Sequence, residues 1–301
     1  PVLLAEVLQW MNVRENGVYA DGTLGGGGHT ELILQRTQAR VIGIDRDADA
    51  IAAASKRLQP YGERFQAVKG NYVDIPQILM RTGVRAADGV LLDLGVSSHQ
   101  LDEESRGFSY HHDAPLDMRM SQTGMTAEDL VNTASEEELS RILYTYGEES
   151  FARSIARNIV RARAEQPIHT TLELAELIKS GVPQKVRRMK NPCKKSFQAI
   201  RIAVNDELGA VREAMEKAID CLNPGGRLAV ITFHSLEDRI VKAAFQQAAQ
   251  GCTCPKDFPV CICGKKPKVR LTPRKPILPD EREIEENPRA RSAKLRVCEK
   301  I

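Results

Sequence analysis

The chain has 301 residues, of which 42% are hydrophobic and 28% are charged. It is long enough for one large domain or two ordinary domains, and apolar enough to form a packed core. No run approaches the roughly 18 apolar residues that span a membrane, and the first residues lack the features of a signal peptide. The net charge of +3 is too small to indicate a polyanionic partner by itself. We therefore expect a soluble globular protein with no membrane partner.

The first third of the chain alternates short apolar runs with helical segments. Strands are predicted at 18–21, 41–45, 65–70 and 89–95, with helices at 3–11, from 31 onward and at 48–58. This alternation is typical of an α/β protein, in which a parallel sheet carries helices on both faces and binds ligands at the carboxyl ends of its strands. Asp21, Asp45, Tyr72 and Asp93 all follow such ends.

The middle of the chain loses the strand pattern and becomes helical. Helices are predicted at 135–146, 148–164, 171–180 and about 197–221, followed by a strand at 227–233, a helix at 235–250 and strands at 269–272 and 294–298. Two of these helices begin with capping boxes, Ser135-x-x-Glu138 and Thr170-x-x-Glu173. We therefore predict a doubly wound sheet domain formed by residues 1–104 and 206–301, interrupted by an all-helical insert at 105–205.

A glycine-rich loop follows the first predicted strand. Four glycines, Gly25 to Gly28, allow a ligand to lie close to the backbone. The dinucleotide fingerprint G-x-G-x-x-G does not fit, because Thr30 stands where the third glycine belongs. The carboxylate of Asp21 would repel a pyrophosphate but attract the cationic groups of S-adenosylmethionine. Asp45 has the spacing of an acid that binds ribose hydroxyls. A methyltransferase is therefore favoured over the alternative, a nicotinamide-dependent oxidoreductase.

Polar side chains that could act in methyl transfer follow the fourth and fifth strands. Asp93, Ser97 and Ser98 offer acceptors for the protons of a nucleophile, and His234 could accept a proton. The alternative for the two serines is a hydrogen-bonded loop, and for the histidine a structural hydrogen bond. Methyl transfer from a sulfonium needs mainly alignment, so neither a catalytic metal nor a covalent intermediate is expected.

The cysteines suggest the compartment and one metal site. Seven cysteines are an odd number, and most lie outside a secreted-type framework, so a reducing cytoplasm is expected. Cys252-x-Cys254 and Cys261-x-Cys263 could form a four-sulfur structural zinc site, although the usual spacing is C-x-x-C. The alternative is a loop with reduced thiols.

Many separated motifs also resemble one known family. They are Asp21-Gly-Thr-Leu-Gly-Gly-Gly-Gly-His29, Leu91-Leu-Asp-Leu-Gly-Val-Ser-Ser98 with Gln100, Arg106-Gly-Phe-Ser, Pro115-Leu-Asp-Met-Arg-Met120, Tyr146-Gly-Glu-Glu, Phe197-Gln-Ala-Ile-Arg-Ile, Phe233-His-Ser-Leu-Glu-Asp-Arg239 and Asn287-Pro-Arg-Ala-Arg-Ser292. Together they resemble the MraW family over nearly the whole chain. The resemblance implies a class I, Rossmann-like methyltransferase that modifies the exocyclic N4 of a cytidine in the decoding region of bacterial 16S rRNA.

The resemblance also implies which residues contact S-adenosylmethionine. Carried over by motif, they are Gly27, Gly28, His29, Asp45, Tyr72, Asp93 and Gln100. The loop argument adds Asp21 and Gly25. A second alternative stays open at this point: a ribosome-assembly factor that keeps the nucleoside fold only for binding.

Basic residues of the insert are the candidates for contact with small-subunit rRNA or the assembled small ribosomal subunit. They are Lys185, Arg187, Arg188, Lys190, Lys194 and Lys195. A charge run is often only a solvated surface, but a second run at 265–270 fits a polyanionic substrate. The sequence leaves monomer and homodimer open.

Overall fold

A computed structural model describes residues 1–97, 100–101, 103–189, 191–254 and 262–301, with Met189 described by its backbone alone. The chain divides into two compact units. The sheet unit comprises Pro1–Gly95 and Leu208–Ile301, and the helical unit comprises Val96–Glu207. Within the described ranges, no helix is both long and apolar enough to cross a bilayer.

The described residues of the sheet unit form one seven-stranded sheet. Its strands are β1 (Val18–Asp21), β2 (Arg40–Asp45), β3 (Phe65–Lys69), β4 (Ala87–Asp93), β5 (Leu222–Thr232), β6 (Val269–Leu271) and β7 (Lys294–Lys300). The order is β3-β2-β1-β4-β5-β7-β6, with β1 to β5 parallel and β7 antiparallel to both of its neighbours. The predicted α/β class, and a strand at each predicted place, are confirmed.

Both faces of this sheet are covered, as the continuous apolar sequence of β4 requires. Val90 and Leu92 pack into one core cluster, whereas Leu91 between them packs into another on the opposite face. Helices α1 (Leu4–Met11), α2 (Gly28–Arg36), α3 (Ala48–Leu58) and α4 (Ile75–Arg81) accompany the first four strands. All three of the named β4 side chains are fully buried. The parallel strands therefore bring their carboxyl ends to one edge, where the site residues lie.

The helical unit has its own core. Its helices are α5 (Ala127–Thr133), α6 (Glu136–Gly147), α7 (Ala152–Glu165), α8 (Thr171–Ser180), α9 (Gln184–Met189) and α10 (Cys193–Asn205). The capping box of Thr170 and Glu173 is present at the start of α8. At the start of α6, the hydroxyl of Ser135 accepts a hydrogen bond from the backbone N–H of Glu138. These caps satisfy backbone donors that a helix start leaves without partners.

The single helix predicted over 197–221 is wrong. The structure has α10 ending at Asn205 and a separate helix, α11 (Glu207–Asp220), beginning two residues later. Asp206 between them adopts a left-handed conformation with φ 47° and ψ 42°. The side chain of Asn205 donates to the carbonyl of Met118 and accepts from the backbone N–H of Met120. No glycine or proline occurs at this break, so the helical periodicity of the sequence continues across it.

The last helices are α12 (Ser235–Ala249) and α13 (Glu281–Glu286).

Candidate functional site

The glycine-rich loop is a tight turn from β1 into α2. Gly25 and Gly27 have φ values of 50° and 79°, a region that side chains with a Cβ rarely adopt. A Cβ on Gly27 would also lie 2.9 Å from Cδ1 of Leu58. The backbone N–H of Gly27 donates to the carbonyl of Leu24 at 2.8 Å and closes the turn. Glycine is therefore required at two of the four loop positions by conformation alone.

The carboxyl group of Asp21 stabilises this loop through two hydrogen bonds. Its Oδ1 accepts from the backbone N–H of Thr23 at 3.2 Å, and its Oδ2 accepts from the hydroxyl of Thr30 at 2.8 Å. Burial raises the pKa of the Asp21 carboxyl to about 6, while the Thr30 hydrogen bond acts in the opposite direction. These hydrogen bonds show that Asp21 stabilises the conformation of the loop. Direct contact of Asp21 with a cofactor stays a prediction.

Asp45 at the end of β2 supports the same loop from the neighbouring strand. Its Oδ2 accepts from the backbone N–H of Gly25 at 2.8 Å, and its Oδ1 accepts from that of Asp47 at 2.9 Å. Burial raises the pKa of Asp45, and the two hydrogen bonds lower it. An ionised carboxylate has about four acceptor positions, so both oxygens can still accept from hydroxyl groups.

Tyr72 lies beside the first residue after β1. It begins a short 3₁₀ helix, Tyr72–Asp74, that follows β3. A Cβ on Gly22 would lie 2.9 Å from Cβ of Tyr72 and 2.5 Å from Cδ2 of Leu92. Glycine at position 22 therefore leaves room for the side chains of Tyr72 and Leu92 to approach this closely. An aromatic ring here suits stacking on a base, which stays a prediction.

Asp93 at the end of β4 is the most perturbed acid of this group. Its backbone N–H donates to the hydroxyl of Thr23 at 2.6 Å. Its Oδ1 is enclosed and has no hydrogen-bond partner among the described residues, although 24% of the side chain is exposed. Burial raises the pKa of Asp93 to about 7, and the negative charge of Asp21 adds to the effect.

His29 faces Asp93 from the first turn of α2. Its Nδ1 lies 3.8 Å from Oδ2 of Asp93, and its Nε2 lies 2.9 Å from the carbonyl oxygen of Val2. A carbonyl only accepts, so Nε2 carries the hydrogen and Nδ1 of a neutral ring presents a lone pair. Burial lowers the pKa of His29 to about 4. The imidazole is therefore neutral near pH 7.

His234 is placed at the start of α12, where it caps the helix. Its Nδ1 accepts from the backbone N–H of Glu237 at 3.5 Å. In return, Oε2 of Glu237 accepts from the backbone N–H groups of Phe233 and His234. Nε2 of His234 lies 3.0 Å from Oε1 of Glu237 without hydrogen-bond alignment. The structural alternative considered for this histidine is thus observed, and its role as a proton acceptor stays a prediction.

In the helical unit, Ser97 and Gln100 cap one another. The backbone N–H of Ser97 donates to Oε1 of Gln100 at 3.1 Å, and the backbone N–H of Gln100 donates to Oγ of Ser97 at 3.2 Å. This is the reciprocal pattern of a capping box. The roles in catalysis and cofactor binding expected for these residues stay predictions. Ser98 lies outside the described residues.

The basic candidates of the helical unit differ in their local contacts. Lys185, Arg187, Arg188, Lys194 and Lys195 are exposed, and Lys190 lies outside the described residues. The guanidinium of Arg187 donates to the carbonyls of Val182 and Ser180, so it also closes the end of α8. The ammonium of Lys195 donates to the carbonyl of Glu148 at 2.7 Å.

The sulfur atoms of Cys252, Cys254 and Cys263 lie within 4.8 Å of one another. Cys261, the fourth cysteine of the predicted zinc site, lies outside the described residues. The described sulfurs form a cysteine cluster in the sheet unit, between α12 and β6.

Three residues that support the site acids and the helix start at His234 were not predicted from the sequence: Thr23, Thr30 and Glu237. Threonine two residues after Asp21 is a spacing at which an aspartate accepts from the backbone, so Thr23 had a local signal. The His234-x-x-Glu237 spacing is that of a capping box with histidine in place of serine or threonine. Thr30 had no comparable signal, because its hydroxyl reaches Asp21 across the folded loop.

The model of the MraW methylase family matches residues 1–301. The chain belongs to the MraW methylase family. A relative named ribosomal RNA small subunit methyltransferase H, from Carboxydothermus hydrogenoformans, is 56% identical over 302 residues and covers 100% of this chain and 97% of its own. A Paenibacillus protein of the same name is 55% identical over 310 residues, covering 100% of this chain and 98% of its own.

A solved structure of an rRNA methylase from Streptococcus thermophilus is also similar to this MraW family member. It matches with 12% identity and a TM-score of 0.43, covering 99% of this chain and 92% of its own. The family assignment depends on the sequence match and not on this weaker similarity.

Proposed function

We propose that this methylase uses S-adenosylmethionine to methylate the exocyclic N4 of a cytidine in the decoding region of bacterial small-subunit rRNA. The observation that carries the proposal is the enclosed Oδ1 of Asp93, which has no partner among the described residues at the carboxyl end of β4. Such an atom is costly to bury unless a ligand donates to it.

The site acids fit a cationic nucleoside. Asp21 and Asp45 lie close enough for the charge of Asp45 to raise the pKa of Asp21, and Asp21 acts in the same way on Asp93. A cation bound beside these groups would stabilise their ionised forms. S-adenosylmethionine carries the required positive charge and supplies an electrophilic methyl group when bound. Gly25, Gly27, Gly28 and His29 would form the loop side of this site, while Asp45 and Tyr72 would meet the nucleoside.

Methylation of a cytosine amine requires acceptors for its protons. The N4 lone pair is delocalised into the ring, so the nitrogen becomes a better nucleophile when an acceptor draws on its N–H groups. We assign this role to Asp93, because an ionised Oδ1 can accept such a hydrogen bond in a site of low polarity. Ser97, Ser98 and Gln100 remain further proposed members of the site. His234 could accept a proton only if the hydrogen bond that Nδ1 now accepts were given up.

The RNA would be held by the exposed cations of the helical unit. Lys185, Arg188 and Lys194 are exposed, so their charges are available for contact with phosphates. Arg187, Lys190 and Lys195 are the other proposed contacts. The base must leave its stack to be methylated, so an unpaired segment of rRNA, free or in an assembling small subunit, is the proposed substrate form. Such a substrate is found in the bacterial cytoplasm, where we place the protein.

The decisive experiment is transfer of labelled methyl from S-adenosylmethionine to small subunits that lack the modification, followed by nucleoside digestion. N4-methylated cytidine is the expected product. Labelling of another nucleoside, or cofactor binding with no transfer to free rRNA or to subunits, would contradict the proposal. The Asp93→Asn variant should bind RNA normally and turn over more slowly, whereas Asp74→Asn, at an exposed position of the same unit, serves as the control.

A further inference from the structure

The described cysteines fall into two chemically different groups. Cys193, Cys221 and Cys298 are buried, and burial raises the pKa of their thiols to about 11, 11 and 12. Buried thiols of this kind act as small apolar side chains. Cys252 and Cys263 are exposed and Cys254 is partly exposed. Packing in a core therefore does not account for this second group.

The second group converges on one point from two segments of a loop. Sγ of Cys252 and Sγ of Cys263 are 3.7 Å apart although the residues are eleven positions apart in the chain. This separation is far longer than the roughly 2.05 Å of a disulfide bond. In a tetrahedral zinc site with Zn–S distances of about 2.3 Å, neighbouring sulfurs are about 3.8 Å apart. The separation of Cys252 and Cys263 is close to this value, and the sulfurs of all three cysteines lie within 4.8 Å of one another.

Backbone N–H groups point at the same sulfurs. The backbone N–H of Cys254 donates to Sγ of Cys252 at 3.4 Å, and that of Thr253 donates to Sγ of Cys263 at 3.4 Å. Hydrogen bonds of this kind favour the thiolate and orient metal ligands. Gly264, directly after Cys263, has a φ of 61°, which turns the chain sharply behind the second segment. Two described backbone N–H groups thus orient these sulfurs, as such groups do in metal sites.

We propose that Cys252, Cys254 and Cys263 bind a structural Zn²⁺ ion. Three soft thiolates select zinc over the oxygen-preferring cations, and binding releases the three thiol protons to solvent. The fourth ligand is not assigned, and the proposal does not depend on Cys261. The ion fastens the loop between α12 and β6, whose base is closed by the backbone N–H of Lys268 donating to the carbonyl of Ala248 at 2.8 Å.

The site lies in a loop whose sulfurs have no part in the methyl transfer proposed above. Its role is to hold Cys252, Cys254 and Cys263 together, since closing a loop with a metal removes conformations from the unfolded chain. Loss of the ion should therefore increase cleavage of the loop by proteases before it changes the stability of the sheet.

The test uses the full chain, purified under reducing conditions without a metal-binding tag. Elemental analysis should find one zinc per chain, and replacement by Co²⁺ should give the thiolate charge-transfer and tetrahedral d–d absorption bands. Cys252→Ser and Cys263→Ser should each weaken zinc binding in a chelator competition by more than the roughly 10–100-fold that loss of an outer-shell partner costs. Thr253→Ala, between two of the ligands, and Cys193→Ser, in the helical unit, should retain the metal.

Two results would overturn the proposal. One is wild-type protein that holds no zinc and gives no cobalt–thiolate bands after reduction and reconstitution. The other is zinc that remains bound with unchanged affinity in both ligand variants. Because the wild-type measurement needs no variant, poor folding of Cys252→Ser or Cys263→Ser cannot decide the outcome.

Discussion

His29 and Asp93 face one another in the sheet unit, with Nδ1 of the imidazole 3.8 Å from Oδ2 of the carboxyl group. Burial acts on them in opposite directions, lowering the pKa of His29 to about 4 and raising that of Asp93 to about 7. Both groups are therefore driven toward their neutral forms in the protein without ligand. A bound cation reverses this preference for Asp93 alone, since it stabilises the carboxylate and not the imidazolium.

Cofactor affinity is expected to rise with pH between about 6 and about 8. Below pH 7 the cation must displace a proton from Asp93, whose pKa is about 7, and this displacement reduces the apparent affinity. Isothermal titration of S-adenosylmethionine in two buffers of different ionisation enthalpy should show proton release at pH about 6 and little at pH about 8. The Asp93→Asn variant should lose most of the pH dependence. An unchanged profile in this variant would assign the dependence to another group.

The same carboxyl group should make the unliganded protein less stable as pH rises. A pKa raised from 3.8 to about 7 means that the folded state binds more protons than the unfolded state between these values, so stability falls as pH increases through this window. Asp93→Asn should therefore stabilise the apo-protein at pH about 8, by at most about 4 kcal/mol, and have little effect near pH 4. Urea unfolding of both proteins at the two pH values measures the difference.

Asp74→Asn is the matched control for this measurement, because Asp74 is exposed in the same unit. Its unfolding free energy should follow the wild type at both pH values. A destabilisation by Asp93→Asn at pH about 8 would show that the folded protein stabilises the ionised carboxylate.

Thr30 should matter for stability although it is not expected to contact the substrate. It is fully buried, and its hydroxyl donates to Oδ2 of Asp21 at 2.8 Å. Thr30→Val keeps the shape but leaves a buried carboxylate oxygen without this donor, which should cost about 1–3 kcal/mol of unfolding free energy. Thr133→Val removes a hydroxyl that donates to the carbonyl of Asp129 at an exposed site, and it should cost less than about 0.5 kcal/mol. Equal losses in the two variants would contradict this account of the loop.

The sequence identified the strands and the acids at their ends because both depend on local patterns. Buried parallel strands are continuous apolar runs, and the position of Asp21 or Asp45 after such a run follows from chain order. The partners of these acids could not be predicted in the same way. Oδ2 of Asp45 accepts from Gly25, twenty residues away, and this contact exists only after the first two strands have paired.

The break at Asp206 shows a second limit of sequence patterns. Residues on both sides have helical periodicity, and the left-handed turn is stabilised by tertiary contacts that Asn205 makes with the backbone of Met118 and Met120. Local helix propensity contains no information on hydrogen-bond partners 85 and 87 positions away. The pair of Ser97 and Gln100 shows the converse: its S-x-x-Q spacing is a local signal of a reciprocal cap, in line with the hydrogen-bonded loop that is the alternative for Ser97.

Neutralising the exposed cations of the helical unit should weaken RNA binding mainly by removing phosphate contacts. The triple variant Lys185→Gln, Arg188→Gln, Lys194→Gln is expected to reduce the slope of log K against log salt by about 2, at about 0.7 for each phosphate contact on single-stranded RNA. Arg187→Gln should reduce both the slope and the thermal stability, because its guanidinium also binds the carbonyls of Val182 and Ser180. The triple variant should keep the wild-type melting temperature.

The control is Lys56→Gln, at an exposed position of α3 in the sheet unit, which changes the net charge without touching the proposed surface. Filter binding of a decoding-region RNA over a range of salt concentrations gives the slopes for all the variants. A wild-type slope in the triple variant, with normal folding, would remove these side chains from the interface. An equal loss per removed charge in Lys56→Gln would mean that overall charge, and not a defined surface, controls the affinity. Screening limits the reach of one side-chain charge to about 8–10 Å at physiological salt, so a defined surface should not include this residue.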